Sequence, residues 1–93
     1  MTTKSRLSPE DARTRLAGLK GWELAGDAIR RRYPFGGFKE AMSFVNRVAE
    51  LAERADHHPD ILIEYNKVTL TLSSHDAGGL TERDFALARS IDA

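Results

Sequence analysis

Ile61-Leu62-Ile63-Glu64-Tyr65-Asn66-Lys67-Val68-Thr69-Leu70-Thr71-Leu72-Ser73 is the stretch that decides the fold. Lys67 to Ser73 alternates strictly, with Val68, Leu70 and Leu72 on one face and Thr69, Thr71 and Ser73 on the other. That is the period of a strand with one buried side. Ile61 to Asn66 also reads as a strand, with Ile61, Ile63 and Tyr65 on one face. A tight turn near Asn66-Lys67 would join the two as an antiparallel hairpin.

Upstream, Phe38 to Arg54 has helical spacing. Phe38, Ala41, Met42, Val45, Ala49 and Ala52 recur on one stripe, widened by Val48 and Leu51. Before it, Gly21 to Ala25 and Ala28 to Tyr33 flank Gly26-Asp27, a second hairpin in which Trp22 and Leu24 share a face; Pro34 and Gly36-Gly37 end it. Ser8-Pro9-Glu10-Asp11 opens a first helix with a cap, a proline suited to the first position and acids at the positive end. That helix should run to about Ala17, with Ala12, Leu16 and Leu19 inward. After a flexible Ala77-Gly78-Gly79 loop, Thr81 caps a last helix with Asp84 in the capping-box position and a Phe85, Ala88, Ile91 stripe. The expected fold is α+β, a four-stranded antiparallel sheet with three helices on one face, in the order α-β-β-α-β-β-α.

A chain of 93 residues suits one domain over 1–93 with a thin core, which self-association would thicken. Fourteen basic and fourteen acidic residues balance, so nothing global points to nucleic acid or an anionic membrane. With no cysteine, disulfides and thiolate metal sites are excluded. No apolar run approaches the ~20 residues that span a bilayer. Met1 to Arg6 lacks the apolar stretch of a secretory signal, so a cytoplasmic location is the expectation. Arg30-Arg31-Arg32 alternate in facing and form no single basic patch.

All three histidines fall between positions 57 and 75: the adjacent His57 and His58, and His75. Imidazole exchanges protons near neutrality. Three readings stand side by side. The histidines are solvated loop residues; or they hold a metal, against which the side chains of adjacent residues point apart and no His-x-x-x-His spacing occurs; or they perform metal-free acid–base chemistry. A strand out from His58 and a strand back to His75 return both ends to one edge of the sheet, which favours the third.

Glu53, three residues, His57-His58-Pro59, five residues, Tyr65, nine residues, His75, eight residues, Asp84 resembles the signature of the pterin-4a-carbinolamine dehydratases. The resemblance implies removal of water from a 4a-hydroxytetrahydropterin to give quinonoid dihydropterin, with no cofactor and no metal. It implies His57, His58 and His75 as the catalytic set. His58 and His75 are expected to move protons and His57 to position or share the load. Glu53 and Asp84 become orienting carboxylates, although capping alone would also explain Asp84. Trp22 is a weaker candidate for stacking on the pterin, and Pro59 a weaker one for substrate binding. Pro59 and Tyr65 otherwise read as structural. The resemblance also implies a homodimer or homotetramer and a small-molecule pterin partner, while the charge balance and the lack of a long apolar run give the expectation of neither nucleic acid nor membrane. The alternatives are a non-catalytic interaction or dimerisation module on the same scaffold, and a metal-dependent hydrolase or lyase.

Overall fold

The structure, a computed structural model, describes residues 6–93; the N-terminal reading rests mainly on residues 1–5, which lie outside the described residues. Along the chain run α1 (Pro9–Leu16), β1 (Glu23–Ala25), β2 (Ala28–Pro34), α2 (Phe38–Ala55), β3 (Asp60–Glu64), β4 (Lys67–Leu72), a 3-10 turn (His75–Ala77) and α3 (Glu82–Asp92). The order α-β-β-α-β-β-α is as expected. The strands form one sheet, β1-β2-β4-β3, with every neighbouring pair antiparallel.

The alternation in β4 does what its period requires. Val68, Leu70 and Leu72 are fully buried, each stabilising by roughly 1.5–3 kcal/mol through burial. Ile29 and Tyr33 of β2 and Ile61 and Ile63 of β3 pair opposite them on the same face. The helices contribute Ala12, Val48, Ala52, Phe85, Leu87, Ala88 and Ile91 to the one core that covers this face. Arg30 and Arg32 lie on the open face with Thr69 and Thr71. Arg31 points to the core side and reaches the Lys20 carbonyl and Asp92. Among the described residues no helix is long and apolar enough to cross a membrane.

Three details differ from the sequence reading. The β3–β4 turn is Tyr65-Asn66, since Glu64 pairs with Lys67. Tyr65 therefore leaves the strand, adopts φ 54° and is 69% exposed. The cause is Asn66: its carbonyl accepts from Phe35 N–H at 2.8 Å and its Nδ2 donates to Phe35 O at 2.9 Å. Pinned to the end of β2, Asn66 cannot also continue β3.

The buried stripe of α2 is also rotated. Ala41, Val48 and Ala52 are buried, with Phe44, Val45 and Leu51 packed beside them. Val48 is the centre of the stripe rather than its margin, and Ala49 and Phe38 are exposed. Ala49 sits about 100° around the helix from Val48, past the contact line. Finally, the Ala77-Gly78-Gly79 loop is ordered by a 3-10 turn and by paired backbone bonds between Ser74 and Gly79.

Contacts of two kinds hold the helices in place, one between α1 and α3 and one between α3 and the sheet. Arg15 of α1 pairs with Glu82 of α3 and holds that carboxyl below the usual carboxylate range. Asp92, at the end of α3, accepts from Trp22 Nε1 at 2.7 Å and from the Tyr33 hydroxyl at 2.6 Å.

Candidate active site

The site forms where α2 ends. Asp56 takes the left-handed conformation, φ 50°, and its N–H bonds back to Ala52 and Glu53 carbonyls. His57 N–H reaches Ala52 O at 3.1 Å. This backbone reversal turns His57 inward, where it is 6% exposed, and leaves His58 outside.

His57 Nε2 lies 2.5 Å from Asp84 Oδ1, and Asp84 is fully buried. The second oxygen, Oδ2, accepts from Ser74 Oγ and from Thr81 N–H, both at 2.9 Å. Thr81 Oγ1 lies 2.8 Å from Ser74 Oγ and accepts from Arg83 N–H at 3.2 Å. A hydroxyl has one proton to give. Ser74 gives its proton to Asp84, so Thr81 must give its own to Ser74. The donors thus run in one direction, Arg83 N–H to Thr81 to Ser74 to Asp84. With both carboxylate oxygens accepting, His57 donates from Nε2 to Oδ1. Capping and imidazole binding are both performed by Asp84, one on each oxygen.

His58 Nε2 lies 2.5 Å from Glu53 Oε2, an outward pair with both side chains more than half exposed. Glu53 is on the last turn of α2, five residues back, so the same reversal that buries His57 folds His58 over the helix end. His75 begins the 3-10 turn and is exposed. Its ring makes no hydrogen bond among the described residues, but its backbone is held by Ser74 in the Asp84 network and by Gly78, whose left-handed φ of 75° closes the turn. Pro59 is half-buried between His58 and β3. Trp22 is 6% exposed, and its indole N–H is used by Asp92.

A cleft of about 440 Å³ opens beside His57, with Leu51, Ala55 and Leu87 as apolar walls and Arg54 and Arg83 as cations; His58 and His75 do not line it. Ser74 and Arg83 are site residues that the sequence reading did not single out. Ser74 directly precedes His75, and Arg83 directly precedes Asp84, but neither position betrays its contacts before the loops are folded. Among the described residues, no group of three or more His, Asp or Glu is placed to hold a metal ion.

An antiparallel α+β sheet thus carries one buried His–Asp pair, one exposed His–Glu pair and a third histidine tied to the same network, side chains of a kind capable of acid–base chemistry. Comparison with known proteins gives the family. The sequence profile described as Pterin 4 alpha carbinolamine dehydratase matches residues 5–93, and the chain belongs to that family. A relative from Thermomicrobium roseum that bears the family's name is 58% identical over 94% of both chains. Another so named, from Acidobacterium capsulatum, is 55% identical over 96% of this chain and 97% of its own. A crystal structure of a Brucella melitensis protein described as a transcriptional coactivator/pterin dehydratase superposes with a TM-score of 0.90 at 36% identity, covering 95% of this chain and 96% of that one. A pterin dehydratase-like protein described as a RuBisCO assembly factor in the alpha-carboxysome aligns with a TM-score of 0.62 at 25% identity, over 76% and 82%.

Proposed function

We propose that this protein is a hydro-lyase that removes water from a 4a-hydroxytetrahydropterin and so returns the pterin toward its reduced, reusable form. The observation that carries the reading is the pairing of two adjacent histidines with two separate carboxylates, His57 with Asp84 and His58 with Glu53, each at 2.5 Å. The family supports the substrate class.

The reaction breaks the C4a–O bond and the N5–H bond and forms a C4a=N5 double bond. The leaving hydroxyl needs a proton and N5 must surrender one. A neutral imidazole that donates one nitrogen to a carboxylate presents the other as an acceptor. His58, held by Glu53, is accordingly the acceptor of the N5 proton. His75, without a carboxylate on its ring, protonates the hydroxyl, which departs as water. Proton exchange with solvent through these two exposed rings restores the starting state. His57 is buried and locked on Asp84, so it orients the substrate. No redox change occurs and no metal or cofactor enters the balance.

The homo-oligomer belongs to the same proposal. The outer edges of β1 and β3 are unpaired within the sheet. Leu62, Ile63 and Tyr65 are exposed on and just beyond β3, and Phe38 and Ala49 on α2. Covering such surface favours a dimer or tetramer, which light scattering of the purified chain measures directly.

The function is tested with freshly generated 4a-hydroxytetrahydropterin, following the quinonoid product. The wild type should accelerate dehydration, and the His58→Ala, His75→Ala double variant should lose most of that. No acceleration by folded wild type would return the chain to the non-catalytic interaction module.

A further inference from the structure

Arg83 makes two contacts that the acid–base reading leaves unused. Its Nη2 donates to the Asp56 carbonyl at 3.1 Å, and its Nη1 stands 3.6 Å from Asp76 Oδ2. Asp56 immediately precedes His57, and Asp76 immediately follows His75. One planar group therefore spans the two loops that carry all three histidines. Its own backbone is fixed beside them, since Arg83 N–H bonds Thr81 Oγ1 and the next residue is Asp84.

The position is a poor one for a cation on other grounds. Arg83 is the second residue of α3, where the positive end of the helix dipole disfavours positive charge. Helix stability therefore gives no reason for an arginine here, whereas the two loop contacts do. A guanidinium offers separate donors in a rigid fork, so it can hold two acceptors at a set spacing; an ammonium is a point charge on a flexible stem.

We propose that Arg83 is a positioning residue that fixes the separation between the His57-His58 loop and the His75 loop. This rests on the dehydratase reading above, because the separation matters to a reaction whose proton donor and acceptor act on neighbouring atoms, C4a–OH and N5. Displacing a reacting group by about 1 Å can cost up to about 100-fold in rate.

The test compares wild type with Arg83→Gln, Arg83→Lys, Asp76→Asn and the Arg83→Gln, Asp76→Asn double variant. Arg83→Gln should lower kcat about tenfold with KM held within about twofold, and should not lower Tm, because it removes a cation from the positive helix end. Arg83→Lys should recover only part of kcat. Asp76→Asn should show a smaller loss that is not additive with Arg83→Gln. A second readout needs no substrate: hydrogen exchange at Gly78 and Gly79, whose amides bond to His75 O and Ser74 O, should quicken in Arg83→Gln. Unchanged kcat, a rise in KM alone, additive losses or unchanged exchange would each overturn the proposal. A wild type without dehydratase activity whose Arg83→Gln variant still shows faster exchange would sink the dehydratase reading and leave the clamp standing.

Discussion

Asp84 Oδ1 sits 2.5 Å from His57 Nε2 while Asp84 Oδ2 receives the Thr81 N–H that caps α3. One carboxylate therefore both starts a helix and sets the direction of an imidazole. Replacing it with asparagine separates the two duties. The amide oxygen can still accept from Thr81 N–H, but an amide NH₂ facing His57 would force the proton onto Nδ1. We expect Asp84→Asn to lower kcat by about 10- to 100-fold and stability by about 1–3 kcal/mol, the cost of disturbing a buried hydrogen-bond set. Steady-state rates and urea unfolding check it; an unchanged kcat in a folded variant would refute the positioning role.

The outer pair behaves oppositely. Glu53 and His58 are largely exposed, and exposed pairs contribute little to stability. Glu53→Gln should leave the unfolding free energy within about 0.5 kcal/mol while lowering kcat at neutral pH, because His58 loses the partner that fixes its tautomer. Equal losses in stability and rate would show that the pair is structural.

The hairpins and the helix starts were legible because each rests on local signals: alternation in Val68 to Leu72, a cap at Ser8 and a capping box at Thr81. Asp84 was legible as a cap and, by resemblance, as an orienting group; that it does both needed the fold. What was hidden depends on distant contacts. Asn66 is drawn out of β3 by Phe35, 31 residues away. Val48 becomes the centre of the α2 stripe because the sheet lies along that line. Ser74 and Arg83 acquire meaning only when the loops of His57 and His75 meet at α3.

The metal-dependent alternative makes its own demand. His57 and His58 each spend Nε2 on a carboxylate, and no three candidate ligands converge among the described residues. Prolonged dialysis against a chelator should leave dehydratase turnover unchanged, and metal analysis should find no stoichiometric zinc. Loss of activity that returns with added metal would overturn the acid–base mechanism.

Trp22 offers a clean distinction between stacking and support. Its ring is buried and its N–H is held by Asp92. Trp22→Phe keeps an aromatic but forfeits that bond, so it should cost about 1.5–3 kcal/mol, the range for a hydrogen bond to a charged group. KM for the pterin should stay the same. A KM raised several-fold in a variant of undiminished stability would restore Trp22 to the binding site.

Tyr33 gives stability a pH dependence of definite sign. Burial, and then its hydrogen bond to Asp92, push the hydroxyl well above the usual value for tyrosine. The native state thus keeps this proton at pH values where the unfolded chain has released it. Stability from the group is fully present below about pH 10, the unfolded value, and falls as pH rises from there toward the higher native value. The hydroxyl is only half-buried, so solvent screening reduces the slope below the full linkage limit of about 1.4 kcal/mol per pH unit. The measurement is a difference between two variants, so that contributions common to both cancel. Urea midpoints of wild type and Tyr33→Phe should converge as pH climbs above about 10, with the wild type losing the advantage it holds at neutrality. Parallel curves across that range would mean that the Tyr33–Asp92 bond does not hold the proton in solution.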